Sequence, residues 1–473
     1  MQRDQVQKIV EEVLRRVAAG QASVPEVVVR PGKDGVFQNV DDAVEASSKA
    51  YAKWRATSQE VKANCIEAMR AVSLKHAQEM ADMAHAETGL GRAEDKVKKN
   101  ILQAKKTPGP EDLQGRVMSG DRGLTLLERA PFGVICSITP TTNPVATIIN
   151  NSISMLSAGN SVVFNPHPRA KKCSLRMMSL LNQAIVSAGG PENLLTSVAQ
   201  PSMETSQVLM THKGVRVLVV TGGPGVVVAA MKSGKKTIAA GPGNPPVVVD
   251  ETADLVQATR DIVAGSSFDN NVMCTCEKEV FVVESIYRNF MEKLARQSVY
   301  VLNSRQVDEL TKVIFQAPPV GQSKLVLNSD LVGQHASDIA KTIGLDLPRD
   351  LRLLVAEVHE DHPLVQKEQM MPVLPIVRTR DAGTAIELAL QAEGERFHTA
   401  VMHSHDLHNL SYMAKAVNAN IFIKNGPNYA GLGFGGEGFT TMTIAGTTGE
   451  GCTTARSFTR ERRCALIDHF NII

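Results

Sequence analysis

Apolar residues Val6, Ile9, Val10, Val13, Leu14 and Val17 recur in steps of three and four, with Lys8, Glu11, Glu12, Arg15 and Arg16 between them. This period predicts a short amphipathic helix within residues 1–18, its regular part at 4–18. Residues 19–35, with Pro25, Pro31, Gly32 and Gly35, read as a linker. A helix of this length is marginal alone in water, so its stripe needs a surface. One reading docks it on its own globule or a sister subunit; the other makes it a detachable address or interaction tag. From residue 40 to about 106 the pattern is helical and Ala-rich, interrupted at Gly89–Gly91 and closed by Pro108-Gly109-Pro110. Short β-rich runs follow at 125–127, 133–138, 161–164, 215–220, 247–249 and 280–283. Helical stretches such as 170–188, 226–232 and 255–264 lie between them. Apolar strands alternating with amphipathic helices predict an α/β fold with a parallel, doubly wound sheet. The tail from Gly431 is glycine-rich and then β-type, and no internal repeat is present.

Length and charge narrow the function classes. At about 150 residues per domain, 473 residues suggest roughly three domains or lobes. With 51 Lys+Arg against 49 Asp+Glu, the chain has no long-range field for a polyanion. One Trp and five Tyr provide no platform for stacking bases, so nucleic acid is not an expected partner. No apolar run approaches the ~18–20 residues that span a bilayer, and the charge-rich start is not a secretory signal. The expectation is a soluble, intracellular protein. The seven cysteines form no CxxC pair and no zinc-ligand spacing. His398, His403, His405 and His408 lack a carboxylate constellation and read as surface or hydrogen-bonded residues, so no metal is expected.

Three segments carry candidate chemistry. A buried-strand run, 133–138, ends in Thr139-Pro140-Thr141-Thr142-Asn143-Pro144 ahead of a helical stretch. Asn143, fixed there, can aim its amide at a developing oxyanion, although Asn-Pro alone also marks an ordinary turn. Thr221-Gly222-Gly223-Pro224-Gly225 joins a strand to a helix start, an arrangement suited to a phosphate or simply to a tight turn. In Asp269-Asn270-Asn271-Val272-Met273-Cys274-Thr275-Cys276 a polar loop carries two cysteines. Reactive thiols prefer such loops, but the spacing does not choose between 274 and 276.

These segments, with Glu368-Gln369-Met370-Met371-Pro372-Val373-Leu374-Pro375, occur in the order seen in aldehyde dehydrogenases. Over about residues 34–473 the chain more closely resembles the coenzyme-A-acylating aldehyde dehydrogenases of propanediol and ethanolamine utilisation. The run 446–463 is similar to the same subgroup. The resemblance implies that Cys274 is the nucleophile and that Asn143 completes an oxyanion hole with the Cys274 backbone N–H. It implies that Thr139, Pro140, Thr141 and Thr142 flank the nicotinamide and that Gly222 and Gly223 meet the pyrophosphate. Gly241 would also line the cofactor site, and Glu368 would hold the nicotinamide ribose. The resemblance also places Asn165, Pro166 and His167 at the cofactor site, Asn165 standing where many members have a Lys for the adenine ribose.

Hydrolytic members carry a water-activating Glu where this chain has Ala240. Without that base, hydrolysis of an enzyme thioester should be slow, and a thiol should accept the acyl group instead. The implied reaction oxidises a short aldehyde, propanal ahead of acetaldehyde, with NAD (NADP not excluded) and coenzyme A. The competing readings are a hydrolytic aldehyde dehydrogenase and a non-catalytic microcompartment assembly component. The family's architecture implies a Rossmann-type cofactor-binding domain at 36–111 and 131–245, and a catalytic domain at 246–438. Residues 112–130 and 439–473 would form a small β oligomerisation element, giving a homo-oligomer, dimer or tetramer. Residues 4–18 would address a bacterial microcompartment shell or cargo protein.

Overall fold

A computed structural model describes residues 34–316 and 325–472. The helix expected within 1–18, and the linker up to residue 33, lie outside the described residues. After the short strand Val36–Phe37 come four helices, Val40–Ala56, Gln59–Lys75, Ala77–Thr88 and Ala93–Lys106. The Asn39 and Ser58 side chains accept from backbone N–H groups at the starts of the first two. Gly89, at φ 69°, stops the third in the left-handed conformation.

Two parallel sheets follow. The first runs in the order Val36–Phe37, Leu195–Val198, Ser161–Pro166, Val134–Thr139, Val217–Thr221, Lys236–Ala240, every pairing parallel. From Val134–Thr139 the chain first builds to one side and then crosses to the other. Such a reversal opens a crevice beyond the carboxyl ends of the two strands that flank it. The second sheet runs Val299–Leu302, Leu353–Glu357, Val373–Thr379, Glu279–Val283, Pro246–Val249, Thr399–His403, Ile421–Lys424, again all parallel. Central strands such as Val134–Thr139 and Glu279–Val283 are buried at every position, because both sheet faces are covered.

A third, antiparallel sheet joins Arg116–Gly120, Gly123–Pro131 and Thr459–Ile467. It leaves Val117, Met118, Leu466 and Ile467 exposed. Among the described residues no helix is long and apolar enough to cross a membrane.

Candidate active site

The carboxyl ends of the first sheet carry Thr139–Asn143, Gly222, Gly223 and Gly241. Just ahead of four adjacent strands of the second sheet stand Gly243, Cys274, Glu368 and His398. Beside Gly241 and His398 opens a cleft of about 310 Å³, lined also by Pro242, Glu395, Arg396, Phe397, Ile444, Gly446 and Thr447.

The loop before Cys274 is built against the grain of its backbone. Asp269, Asn270 and Asn271 are consecutive left-handed residues, at φ 48°, 53° and 64°. Asx side chains tolerate this region best, and here hydrogen bonds hold it. Asp269 N donates to Asp95 Oδ2 at 3.0 Å, and Arg92 Nε donates to Asn270 Oδ1 at 2.6 Å. Asn271 Nδ2 donates to the Ser266 and Glu277 carbonyls at 2.7 and 2.9 Å. The buried Lys278 ammonium donates to the Asn271 and Met273 carbonyls at 3.0 and 3.3 Å. Cys274 emerges half-buried from this scaffold, whereas Cys276 is fully buried with its thiol 3.7 Å from the Phe268 carbonyl. Accessibility therefore leaves Cys274 as the candidate nucleophile.

Burial and then the Glu368 charge push the Cys274 thiol up to about 12, while Lys278 pulls the other way. A thiol held protonated at neutral pH needs an acceptor as it attacks. Glu368 Oε1 is buried without a hydrogen-bond partner, and burial raises this carboxyl above the ordinary range. His398 brings a second buried polar atom without a partner. Its Nδ1 meets Thr399 Oγ1 at 2.9 Å, its backbone N–H donates to Glu393 Oε1 at 2.9 Å, and its Nε2 is unpartnered. Burial, with Lys278 adding to it, pushes His398 down to about 4. Gly243 makes the approach possible: a Cβ there would lie 2.6 Å from the Cys274 carbonyl oxygen and 3.0 Å from His398 Cγ.

His403, at the end of Thr399–His403, is pushed down to about 4 by burial alone. An unfolded imidazole titrates near 6.5, so both histidines favour the fold fully above about pH 6.5, and that contribution is lost towards about pH 4. The urea midpoint should accordingly fall across this window, and less so in His403→Leu; equal slopes for the two proteins would refute the assignment. The Thr399–His403 strand stops before His405. Among the described residues no group of three His, Cys, Asp or Glu is placed to hold a metal.

Asn143 is 8% exposed and precedes Pro144–Ser157, yet makes no side-chain cap bond. Its Nδ2 donates to Thr142 Oγ1 at 3.2 Å and its Oδ1 accepts from Lys99 Nζ at 2.5 Å. The Thr139 and Thr141 hydroxyls are buried without partners, and Pro140 and Thr142 are half-buried beside them. At Gly223 a Cβ would meet nothing within 4 Å, and at Gly222 only Val226 Cβ at 4.0 Å. The helix Pro224–Met231 begins there with no side-chain cap; Pro224 has no N–H and the Val226 and Val227 N–H groups donate to the Gly223 carbonyl, which leaves the Gly225 N–H for an anion. A Cβ at Gly241 would lie 3.0 Å from Thr447 Oγ1. Open glycines, an uncapped helix start and orphaned hydroxyls lie together at this end of the first sheet.

Asn165 departs from expectation. Its Nδ2 donates to Ser206 Oγ at 2.7 Å and its Oδ1 accepts from Thr205 Oγ1 at 2.7 Å. The side chain is consumed in holding the start of Met203–Thr211 and is not turned to a ligand. Pro166 ends its strand buried, and the half-buried His167 accepts from Arg169 N at 3.2 Å. Ala240 ends Lys236–Ala240 with its methyl group buried, so no base stands at that position.

Sequence reasoning missed three groups. Lys96 and Lys99 stand in a charge-rich helix, yet both are buried, and their ammoniums pair with the buried Asp269. Lys278 is buried too. An aromatic cluster, Phe268, Tyr429 and Phe434, with ring centroids 5.2 to 6.1 Å apart, narrows a pocket that Met273 also lines.

The sequence matches the aldehyde dehydrogenase family over residues 27–448. It is 49% identical to the acetaldehyde dehydrogenase (acetylating) EutE of Salmonella typhimurium, covering all of both chains. It is 44% identical to the propanal dehydrogenase (CoA-propanoylating) of the same organism, covering 98% of each. Among solved structures it superposes on the Rhodopseudomonas palustris propionaldehyde dehydrogenase, which has bound CoA and an acylated cysteine. The TM-score is 0.90 at 46% identity, over 93% of this chain and all of that one. A propionaldehyde dehydrogenase from the Clostridium phytofermentans fucose utilisation bacterial microcompartment matches with TM-score 0.90 at 44% identity, over 93% and 100%. With the sheet order, the cysteine loop and the matched length in agreement, the chain belongs to the aldehyde dehydrogenase family.

Proposed function

We propose that this chain oxidises a short aliphatic aldehyde to its acyl-coenzyme A through a thioester on Cys274. The observation that carries the reading is a reachable thiol on the loop that Lys99 ties to the Asn143 amide, with alanine at position 240. The sulfur pair of Cys274 forms the S–C bond, and the carbonyl pair moves to oxygen, where Asn143 Nδ2 and the Cys274 N–H receive it. Glu368, whose Oε1 is buried without a partner and whose charge reaches the thiol, takes its proton. A bound nicotinamide would supply the acceptor for the hydride that leaves the same carbon as its carbonyl re-forms. Thr139–Thr142, Gly222, Gly223, Gly241, Pro166 and His167 would hold the dinucleotide, NAD or NADP. The thiol of coenzyme A then attacks the thioester carbonyl and expels the Cys274 thiolate, with His398 Nε2 placed on the cleft to take its proton.

Propanal is our first reading; acetaldehyde is the second, favoured by the 49% against 44% identities of the two relatives. The exposed Val117, Met118, Leu466 and Ile467 favour a homo-oligomer joined through the antiparallel sheet. The amphipathic period at residues 4–18 favours residence in a bacterial microcompartment, tested by whether residues 1–20 carry a fluorescent protein into compartments. The decisive assay supplies acetaldehyde, propanal or butanal with NAD or NADP, with and without coenzyme A, and weighs the products. Acyl-coenzyme A that forms only with the thiol present is expected. Free acid formed as fast without the thiol would refute the reading.

A further inference from the structure

The carboxamide of Asn143 has two ends related by a half-turn, and only the nitrogen end donates. Lys99 Nζ stands 2.5 Å from one end. An ammonium has donors and no acceptor, so the atom facing it is oxygen. The nitrogen is thereby turned the other way, where one N–H reaches Thr142 Oγ1 at 3.2 Å and the other is left free. The same ammonium polarises the amide, which strengthens the free N–H as a donor.

Lys99 is itself held. It is 3% exposed, and its ammonium pairs with Asp269 Oδ2, which also takes Lys96 Nζ at 3.0 Å. Asp269 belongs to the loop that delivers Cys274. One buried ammonium thus ties the amide at the end of the first sheet to the cysteine loop of the second.

We infer that Lys99 is a positioning residue for aldehyde oxidation, holding Asn143 in the orientation whose free Nδ2–H meets the oxygen that gains charge. This rests on the roles proposed above for Asn143 and Cys274. Lys99 touches neither aldehyde nor cofactor in this account and acts only through Asn143.

The test is a cycle of Lys99→Met, Asn143→Ala and the double variant, read by single-turnover NADH formation with saturating aldehyde. Lys96 still neutralises Asp269 in Lys99→Met. Each single variant is expected to slow hydride transfer by about 10²-fold, the scale of one lost oxyanion donor, with the aldehyde KM changed by less than about threefold. The double variant should be no slower than Asn143→Ala, because Lys99 has nothing left to orient. Lys99→Gln, which keeps an N–H for Asn143 Oδ1, should recover part of the rate, and added methylammonium should recover part in Lys99→Ala. A purely structural lysine would show neither recovery. If Lys99→Met does not fold, the cycle is run with Lys99→Ala and methylammonium. Losses that multiply in the double variant, or a slow Asn143→Ala beside a fast Lys99→Met, overturn the positioning role alone. A fast Asn143→Ala overturns the oxyanion reading itself.

Discussion

Cys274→Ala is expected to lose aldehyde oxidation by at least about 10⁴-fold, the scale seen when a covalent nucleophile is removed. The sulfur forms the bond that makes hydride departure possible and then stores the acyl group, so no other step survives it. Cys276 cannot replace it. That thiol is fully buried, lies against the Phe268 carbonyl, and is raised by burial further above the ordinary thiol range. The variant should melt close to the parent, since the Asp269–Asn271 and Lys278 bonds that shape the loop do not use the Cys274 side chain. It should also keep nucleotide binding, because the glycines and threonines of the first sheet are untouched. Cys276→Ala provides the contrast, active but with a small cavity penalty. NADH absorbance and product mass read the first effect, and a thermal melt reads the second. NADH formation by folded Cys274→Ala would refute the covalent route.

Asp269→Ala should cost about 3–5 kcal/mol of folding stability, the range for removing one partner of a buried ion pair. The carboxylate is fully buried, bridges Lys96 and Lys99, and accepts Arg92 N at 2.6 Å through its other oxygen. Without it, two ammoniums sit in a low-dielectric interior with no counter-charge. Alanine also tolerates φ 48° less well than Asp does. Asp269→Asn keeps the left-handed tendency and an acceptor for Arg92, so it should lose less. Burial already pulls Lys96 down to about 8, with Asp269 opposing that fall. A lysine whose folded pKa is depressed gives up its proton on folding, so stability rises with pH above that value. Part of the Asp269→Ala loss should therefore return as the solution becomes alkaline. Urea midpoints at neutral and alkaline pH measure both effects; a midpoint unchanged from the parent would show the triad to be idle.

The strands were legible because their apolar runs and turn residues are local properties, as 134–139 and 217–221 show. Cys274 and Asn143 could be singled out from the sequence because each lies in a loop whose residues form a recognisable motif. Lys99 was not. Its helix, Ala93–Lys106, buries Asp95, Lys96, Lys99, Asn100 and Gln103, a polar face that hydrophobic periodicity takes for the wet side. Its partner Asp269 is 170 residues away, and only the closed fold brings the charges together. Asn165 misled for a related reason: a position read as a ligand contact is spent on Thr205 and Ser206. His398 looked ordinary because its closeness to the cysteine loop depends on Gly243, which comes from a third place in the chain.

The antiparallel sheet pairs Gly123–Pro131 with Thr459–Ile467 along its whole length. A ribosome makes the inner strand early and its neighbour only after both parallel sheets have been translated. Until residue 467 leaves the exit tunnel, the 116–131 hairpin has an open edge and nothing to close it. Nascent chains can therefore fold their two large sheets while still lacking this surface, and any association through it has to wait for the finished strand.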